Sequence, residues 1–271
     1  MIFCTIALSF KNNTIRFLNR KELVPSAKYK RYTYYDIFLT KLLPYLYNEF
    51  PSSILIIDTK HSYEPFNINA NENYQLYGYF QSYKYFINEF NSIYKLLDIE
   101  NLKTNILLKN INPFDYQYTV SLHFRIGDYI YHTNRYIILP IEYYIQSLNY
   151  LKILTNNKKL FILYFCEDDS LNIVLDYIKK LSILFPNYQF ERCNPKLEDW
   201  EQLLLMSCCR YNIIANSIFS WWGGMFNTNK NKLVLYPSTW YVNTATHWCS
   251  TELICNKLDD ICPPDWVKIV Y

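Results

Sequence analysis

The sequence predicts an α/β protein of two lobes built on parallel sheets. Three observations carry this. Beyond residue 118, short apolar runs alternate with longer amphipathic segments at the spacing of βαβ units. A softer stretch containing Asn and Pro, residues 109–116, precedes that regular part and marks the lobe boundary. At 271 residues the chain has the length of one large domain or two ordinary ones.

In chain order, residues 2–12 read as a helix with no strand before it. Residues 53–58 form a short apolar run of strand type. The aromatic, turn-like GYFQSYKYF (78–86) leads into an amphipathic helix through Phe90, Ile93, Leu96 and Leu97. Beyond the boundary come a strand over 118–124, and a helix over 140–154 with Pro140 at its first turn. A strand over 160–165 ends in the acidic turn Glu167-Asp168-Asp169. A helix over 171–184 and a strand near 188–191 follow. The next helix, 198–209, carries Glu198 and Asp199 at its positive end. Last come an apolar strand over 212–215, a polar turn, a helix from about Trp221, and a strand over 232–236.

Composition excludes several function classes. A net charge of +3 suits an anionic small ligand but lacks the basic stripe of a nucleic-acid binder. No apolar run approaches the ~18–20 residues that span a bilayer. The apolar start, residues 1–10, has neither a basic leader nor a small-residue cleavage pattern, so the expectation is a soluble, cytoplasmic protein. The eight cysteines lie mostly in apolar segments and read as buried free thiols. Cys249, Cys255 and Cys262 with His247 lack the paired C-x₂-C spacing of a zinc site. Only four glycines occur, so neither a Walker loop nor a GxGxxG fingerprint can be written, and three of the four, Gly127, Gly223 and Gly224, fall in or shortly after the two motifs that follow.

The first motif, Asn216-Ser217-Ile218-Phe219-Ser220, joins an apolar strand to a helix start. Such a turn lies at the carboxyl end of a strand, where α/β sheets bind ligands and helix N–H groups receive phosphate. The second, 120–129, is VSLHFRIGDY, also a strand ending in a turn. Alternation sends His123 and Arg125 to one face, Gly127 permits a bend, and a guanidinium there suits bidentate phosphate contact. The plainer alternative is a surface pair between Arg125 and Asp128, which contributes little. For Trp221 and Trp222 the plainer reading, core packing, is preferred.

HFRIGDY, LPIEYY (139–144), FCED (165–168) and LLLMSCCRYNIIANSIFSWWGG (203–224) together resemble glycosyltransferase family 11, the α-1,2-fucosyltransferases. The N-terminal helix, GYFQSYKYF, and Tyr236-Pro237 followed by Trp240 agree in order. The resemblance implies a GT-B-like fold, with two Rossmann-like lobes facing a cleft. Residues 1–115 would be the acceptor-side lobe and residues 116–271 the lobe that binds the GDP-sugar. It implies inverting, metal-independent transfer of L-fucose from GDP-fucose to O2 of a terminal galactose on a glycan. The partners implied are that donor and that acceptor, with no cofactor besides, no nucleic acid and no membrane segment. Carried over by position, Arg125 is the β-phosphate ligand, with His123, Asn216, Ser217, Phe219 and Ser220 in donor binding. Asp168 is a further candidate, for the nucleoside. Asp128, Glu142, His132 and Asp168 are candidate bases for the acceptor proton, with Asp128 preferred, and Arg125 and Asp128 form the catalytic pair.

The chain departs from the family pattern at named positions. Ile126 replaces a second arginine, a loss worth ~10- to 100-fold in phosphate or transition-state binding. Gln202 stands where an acid is usual, Tyr211 where a histidine is, and Ile218 where a threonine is. The family's first strand and Gly-rich turn precede a helix like 2–12 but are not found here, which reads as a truncated or misassigned start. These departures keep two alternatives open: a catalytically weak relative that binds a nucleotide or glycan, and a transferase using another nucleotide sugar.

Overall fold

The structure, a computed structural model, describes residues 1–14, 18–19, 34–47, 51–59, 62–69, 71–109, 115–246 and 257–271. They fall into two compact units, Met1–Leu102 with His247–Ile261, and Lys103–Thr246 with Cys262–Tyr271. The α/β class read from the sequence is the architecture found. Among the described residues no helix is long and apolar enough to cross a membrane.

In the first unit, α1 (Ile2–Asn12) buries Phe3, Cys4, Ile6 and Ala7 and stops where Asn13 takes a left-handed conformation, φ 50°. Two short strands, β1 (Leu18–Asn19) and β2 (Leu46–Tyr47), pair in parallel. So do β3 (Ile54–Ile57), read from the sequence, and β4 (Tyr74–Tyr77), which was hidden because its YQLY run is half polar. Asp58, buried at the end of β3, accepts the N–H groups of Tyr79 and Phe80 at 3.2 and 2.8 Å. The single helix expected near Phe90–Leu97 is two, α2 (Phe90–Leu96) and α3 (Ile99–Lys109), broken where Asp98 is left-handed.

The compact units part at Leu102 and Lys103, inside α3, whereas the sequence reading places the boundary at 115/116. Lys103 explains why: its buried ammonium donates to Phe226 O and Thr228 Oγ1, both at 3.2 Å, fastening this part of the helix to the second unit.

That second unit is a succession of βαβ crossovers: β5 (Thr119–His123), α4 (Ile141–Leu154), β6 (Phe161–Phe165), α5 (Leu171–Leu184), β7 (Gln189–Arg192), α6 (Asp199–Cys208), β8 (Tyr211–Ile213), α7 (Ile218–Met225) and β9 (Leu233–Pro237). After a short α8 (Leu258–Ile261), grouped with the first unit, comes β10 (Val267–Ile269). The six strands form one parallel sheet in the order β10-β9-β8-β5-β6-β7. One face is closed by Tyr143, Tyr144, Leu148 and Leu151 of α4 with Val174 and Leu181 of α5. Two expectations are corrected here. The polar turn is shorter than read, because Ser217 is extended (φ −139°, ψ 130°) and its carbonyl already accepts the Trp221 N–H at 3.0 Å, so α7 starts at Ile218 and not Trp221. Edge strand β10 was missed since only three residues pair.

The glycine pair in α7 is a packing device. A Cβ at Gly223 would lie 3.0 Å from Met206 Cβ on α6, and one at Gly224 3.0 Å from the Trp266 ring. Trp221 is buried against Trp266, at 5.9 Å between ring centroids, and Trp222 stacks on Phe226 at 5.2 Å, which bears out the packing role preferred for them.

Candidate functional site

From β5 the chain runs outward to β6 and β7 on one side, and through β8, β9 and β10 on the other. The junction between β5 and β8 is therefore the point where strand order reverses, the place where open α/β sheets bind ligands beyond the carboxyl ends of their strands. The two sequence motifs are the turns at these ends.

The β5 turn carries Arg125, whose side chain is only 16 % exposed. Its Nη1 donates to Glu167 Oε1 at 2.6 Å, and its Nη2 lies 2.6 Å from Asp128 Oδ1 as an ion pair. Its Nε is buried without a partner among the described residues. Below the guanidinium is an aromatic column: Arg125 lies 5.1 Å from the centre of the Tyr129 ring, and Tyr129 stacks on Tyr136 at 4.2 Å and 12°. The same turn depends on Gly127, where an added Cβ would lie 1.7 Å from Glu167 Oε2. Burial raises the Glu167 carboxyl above its ordinary range, with Arg125 pulling it down and Asp128 and Asp169 adding to the rise.

The β8 turn is held differently. Asn216 is fully buried, and its Nδ2 donates to Ile137 O and Trp240 O, both at 2.9 Å. Its Oδ1 is buried and has no partner among the described residues. Ser220 Oγ accepts the Ala215 N–H at 3.2 Å and lies 3.3 Å from Ser217 O, closing the turn on itself. Ser217 is the N-cap residue of α7, but its hydroxyl makes no capping bond. The first-turn N–H groups of Ile218, Phe219 and Ser220 thus keep the donor capacity that helix starts offer to anions.

The two turns meet. Tyr129 OH donates to Asn216 O at 2.9 Å, and the His123 ring lies 5.6 Å from that of Phe219. Burial first, and the charge of Arg125 second, lower the His123 imidazole to about 3, so it is neutral at physiological pH. Its Nδ1 is buried without a partner among the described residues. Beneath the site, the two tyrosines of LPIEYY brace the strand ends: Tyr143 OH donates to Ile214 O at 2.6 Å and Tyr144 OH to His123 O at 3.3 Å.

Other sequence candidates fall elsewhere. Asp168 is ion-paired to Arg192 and well exposed. Glu142 is exposed in the first turn of α4, where it complements the helix dipole, and His132 is exposed after the Gly127–Tyr131 3₁₀ turn. Gln202 donates to Leu197 O at 2.9 Å within its own helix start. Ile126 is buried in the sheet core, so this chain uses for packing the position where the family pattern has an arginine. Tyr211 is likewise core, on β8. Cys249, Cys255 and His247 lie outside the described residues. Sequence reading missed Glu167 as the partner of Arg125, since the two are far apart in the chain. The only signal was the acidic turn after β6. The tyrosine column was missed for another reason: Tyr129 and Tyr136 lie in and after an irregular turn, where no periodicity says which rings meet.

A parallel sheet whose strand order reverses, with a guanidinium and helix-start N–H groups on the turns beside the reversal, has the layout of α/β proteins that bind ligands at such points. The chain belongs to glycosyl transferase family 11, whose model matches residues 6–269. It is 29 % identical over 202 residues to the alpha-1,2-colitosyltransferase of Escherichia coli, covering 71 % of this chain and 61 % of that protein. It is 32 % identical over 126 residues to the O-antigen biosynthesis glycosyltransferase WbnK of Escherichia coli, covering 45 % of this chain and 39 % of that protein. The chain thus spans between about two fifths and three fifths of these relatives' lengths. No solved structure matches it significantly.

Proposed function

We propose that the protein transfers L-fucose, or a closely related deoxy sugar, from its GDP-linked donor to O2 of a terminal galactose, with inversion and without a metal. The observation that carries this reading is the joining of Arg125 to the start of α7 at the β5/β8 switch point through the Tyr129–Asn216 hydrogen bond. Family membership supplies the sugar-transfer chemistry. The name of the colitosyltransferase relative widens the donor to sugars besides fucose.

In this reading the acceptor hydroxyl attacks the anomeric carbon, its oxygen forms the new bond, and the bond to the diphosphate breaks with its electron pair leaving on GDP. Arg125 and the α7 N–H groups receive that charge. Asp128 takes the acceptor proton: Oδ1 is committed to Arg125, and the carboxylate is 46 % exposed, which leaves Oδ2 for the acceptor. His123, Asn216, Ser217, Phe219 and Ser220 shape the donor seat, and Asp168 with Arg192 lies at the nucleoside end. The protein acts on a galactose-terminated glycan, with 1–115 as the acceptor side.

A second reading, a weakened relative that binds nucleotide without turnover, is favoured by Ile126 alone, which removes one cation from the phosphate seat. Incubation with GDP-fucose and a β-galactoside, followed by mass spectrometry, separates the two. Fucosylated product is expected. GDP binding with no product from GDP-fucose or other nucleotide sugars would favour the second reading. Arg125→Ala is expected to lower transfer at least ~10²-fold, and a variant with normal turnover sinks the phosphate role.

A further inference from the structure

Glu167 belongs to neither donor motif, yet it is one of the two carboxylates paired with the residue on which the site depends. Its Oε1 lies 2.6 Å from Arg125 Nη1, while Asp128 Oδ1 lies 2.6 Å from Nη2. One guanidinium is thus shared by two carboxylates, although its task is to receive a diphosphate. A third anion beside two that stay in place meets like-charge repulsion at close range. One of the carboxylates must give way, and the geometry says which. Asp128 is three residues from Arg125 in the short Gly127–Tyr131 turn. Glu167 comes from the end of another strand and is 45 % exposed. It reaches Arg125 only because residue 127 has no side chain, a Cβ there lying 1.7 Å from Oε2.

We infer that Glu167 is a positioning residue, a resident counter-anion that holds Arg125 in its seat in the ligand-free protein and is exchanged for a diphosphate oxygen when the donor binds. This rests on the reading of Arg125 as the phosphate ligand. The exchange has a proton signature. The groups acting on Glu167 are Arg125, Asp128 and Asp169, and only Arg125 favours its charged form. Once Arg125 turns to the phosphate, Glu167 is left near two carboxylates and takes up a proton more readily. Donor binding is then linked to proton uptake, and Glu167 competes less as pH falls.

The test is calorimetric titration with GDP of the wild-type chain, Glu167→Gln, Glu167→Ala and Arg125→Ala, from about pH 7.5 to about pH 5.5. Comparing variants at equal pH cancels the titration of GDP itself. Both Glu167 variants are expected to bind GDP about twofold to fivefold more tightly than wild type near pH 7.5, the range for a half-exposed ion pair. That ratio is expected to shrink toward one at the acidic end. Unchanged or weaker binding in Glu167→Gln and Glu167→Ala overturns the exchange, as does a ratio that does not move with pH. Wild-type affinity in Arg125→Ala overturns the phosphate reading beneath it. Loss of binding in Arg125→Ala with no tightening in the Glu167 variants overturns the exchange alone.

Discussion

The two turns at the switch point reach similar positions by opposite means. The β8 turn is neutral and held by hydrogen bonds to main chain: Asn216 ties it to Ile137 and Trp240, and Ser220 closes it on Ala215. The β5 turn is charged, and Arg125 is held by two carboxylates and a tyrosine face. Buried amide bonds to carbonyls hold a fixed shape whether or not a ligand is present. Ion pairs at a half-exposed rim can be exchanged, because a phosphate offers the guanidinium the same kind of partner. The difference is a division of labour: hydrogen bonds to main chain fix the β8 turn, while the cation of the β5 turn has partners of a kind that can be exchanged.

Three experiments break or sharpen this contrast. The largest effect is expected from Asn216→Ala, which leaves one buried and one part-buried carbonyl without donors and opens a cavity. It should cost about 3–4 kcal/mol of unfolding free energy. Chemical denaturation measures this, and an unchanged midpoint would show that the β8 turn is not held as described.

An intermediate effect concerns His123, whose imidazole is lowered to about 3 by burial and by Arg125. The sign follows from proton counts. Between pH 6.5 and 3 the unfolded chain binds the proton and the folded one does not, so stability is present above that window and lost as pH falls through it. At about pH 5 the loss is about 2 kcal/mol. His123→Gln should remove this part of the acid sensitivity in urea unfolding compared at about pH 7 and pH 5. Identical slopes in the two proteins would sink the assignment.

The smallest effect on stability is expected from Gly127→Ala. The clash is with the flexible end of Glu167, whose Cδ would be 2.8 Å from the new Cβ, so the carboxylate can swing away at a cost below about 1 kcal/mol. Thermal unfolding should barely shift, while GDP affinity moves in the direction of Glu167→Gln. A large drop in stability would mean that the β5 turn is as rigid as its neighbour.

Much of the second unit was legible in advance. The helix from Leu171 to Leu184 and the one after Pro140 lie where their apolar periodicity places them, because local patterning and burial agree there. Short, half-polar or edge pieces such as β4 and β10 were not, since three or four residues carry too little periodicity. Both motifs were legible, Asn216–Ser220 as a strand–turn–helix passage and residues 120–129 as a strand ending in a turn. That Tyr129 would donate to Asn216 O was not, because the partners are 87 residues apart in the chain.

The sequence by itself determined the α/β class, the order of crossovers from β5 to β9, and the two polar turns, Arg125 with Asp128 and Asn216 with Ser220, as the candidate site. These follow from local periodicity, capping and side-chain type. Only the tertiary structure decided that β5 and β8 are neighbours and that Glu167 reaches Arg125 over Gly127. It also put Ile126 in the core, where the family pattern has a second cation. Such facts depend on which distant strands share hydrogen bonds and which side chains lose water together, and no local pattern of residues encodes either.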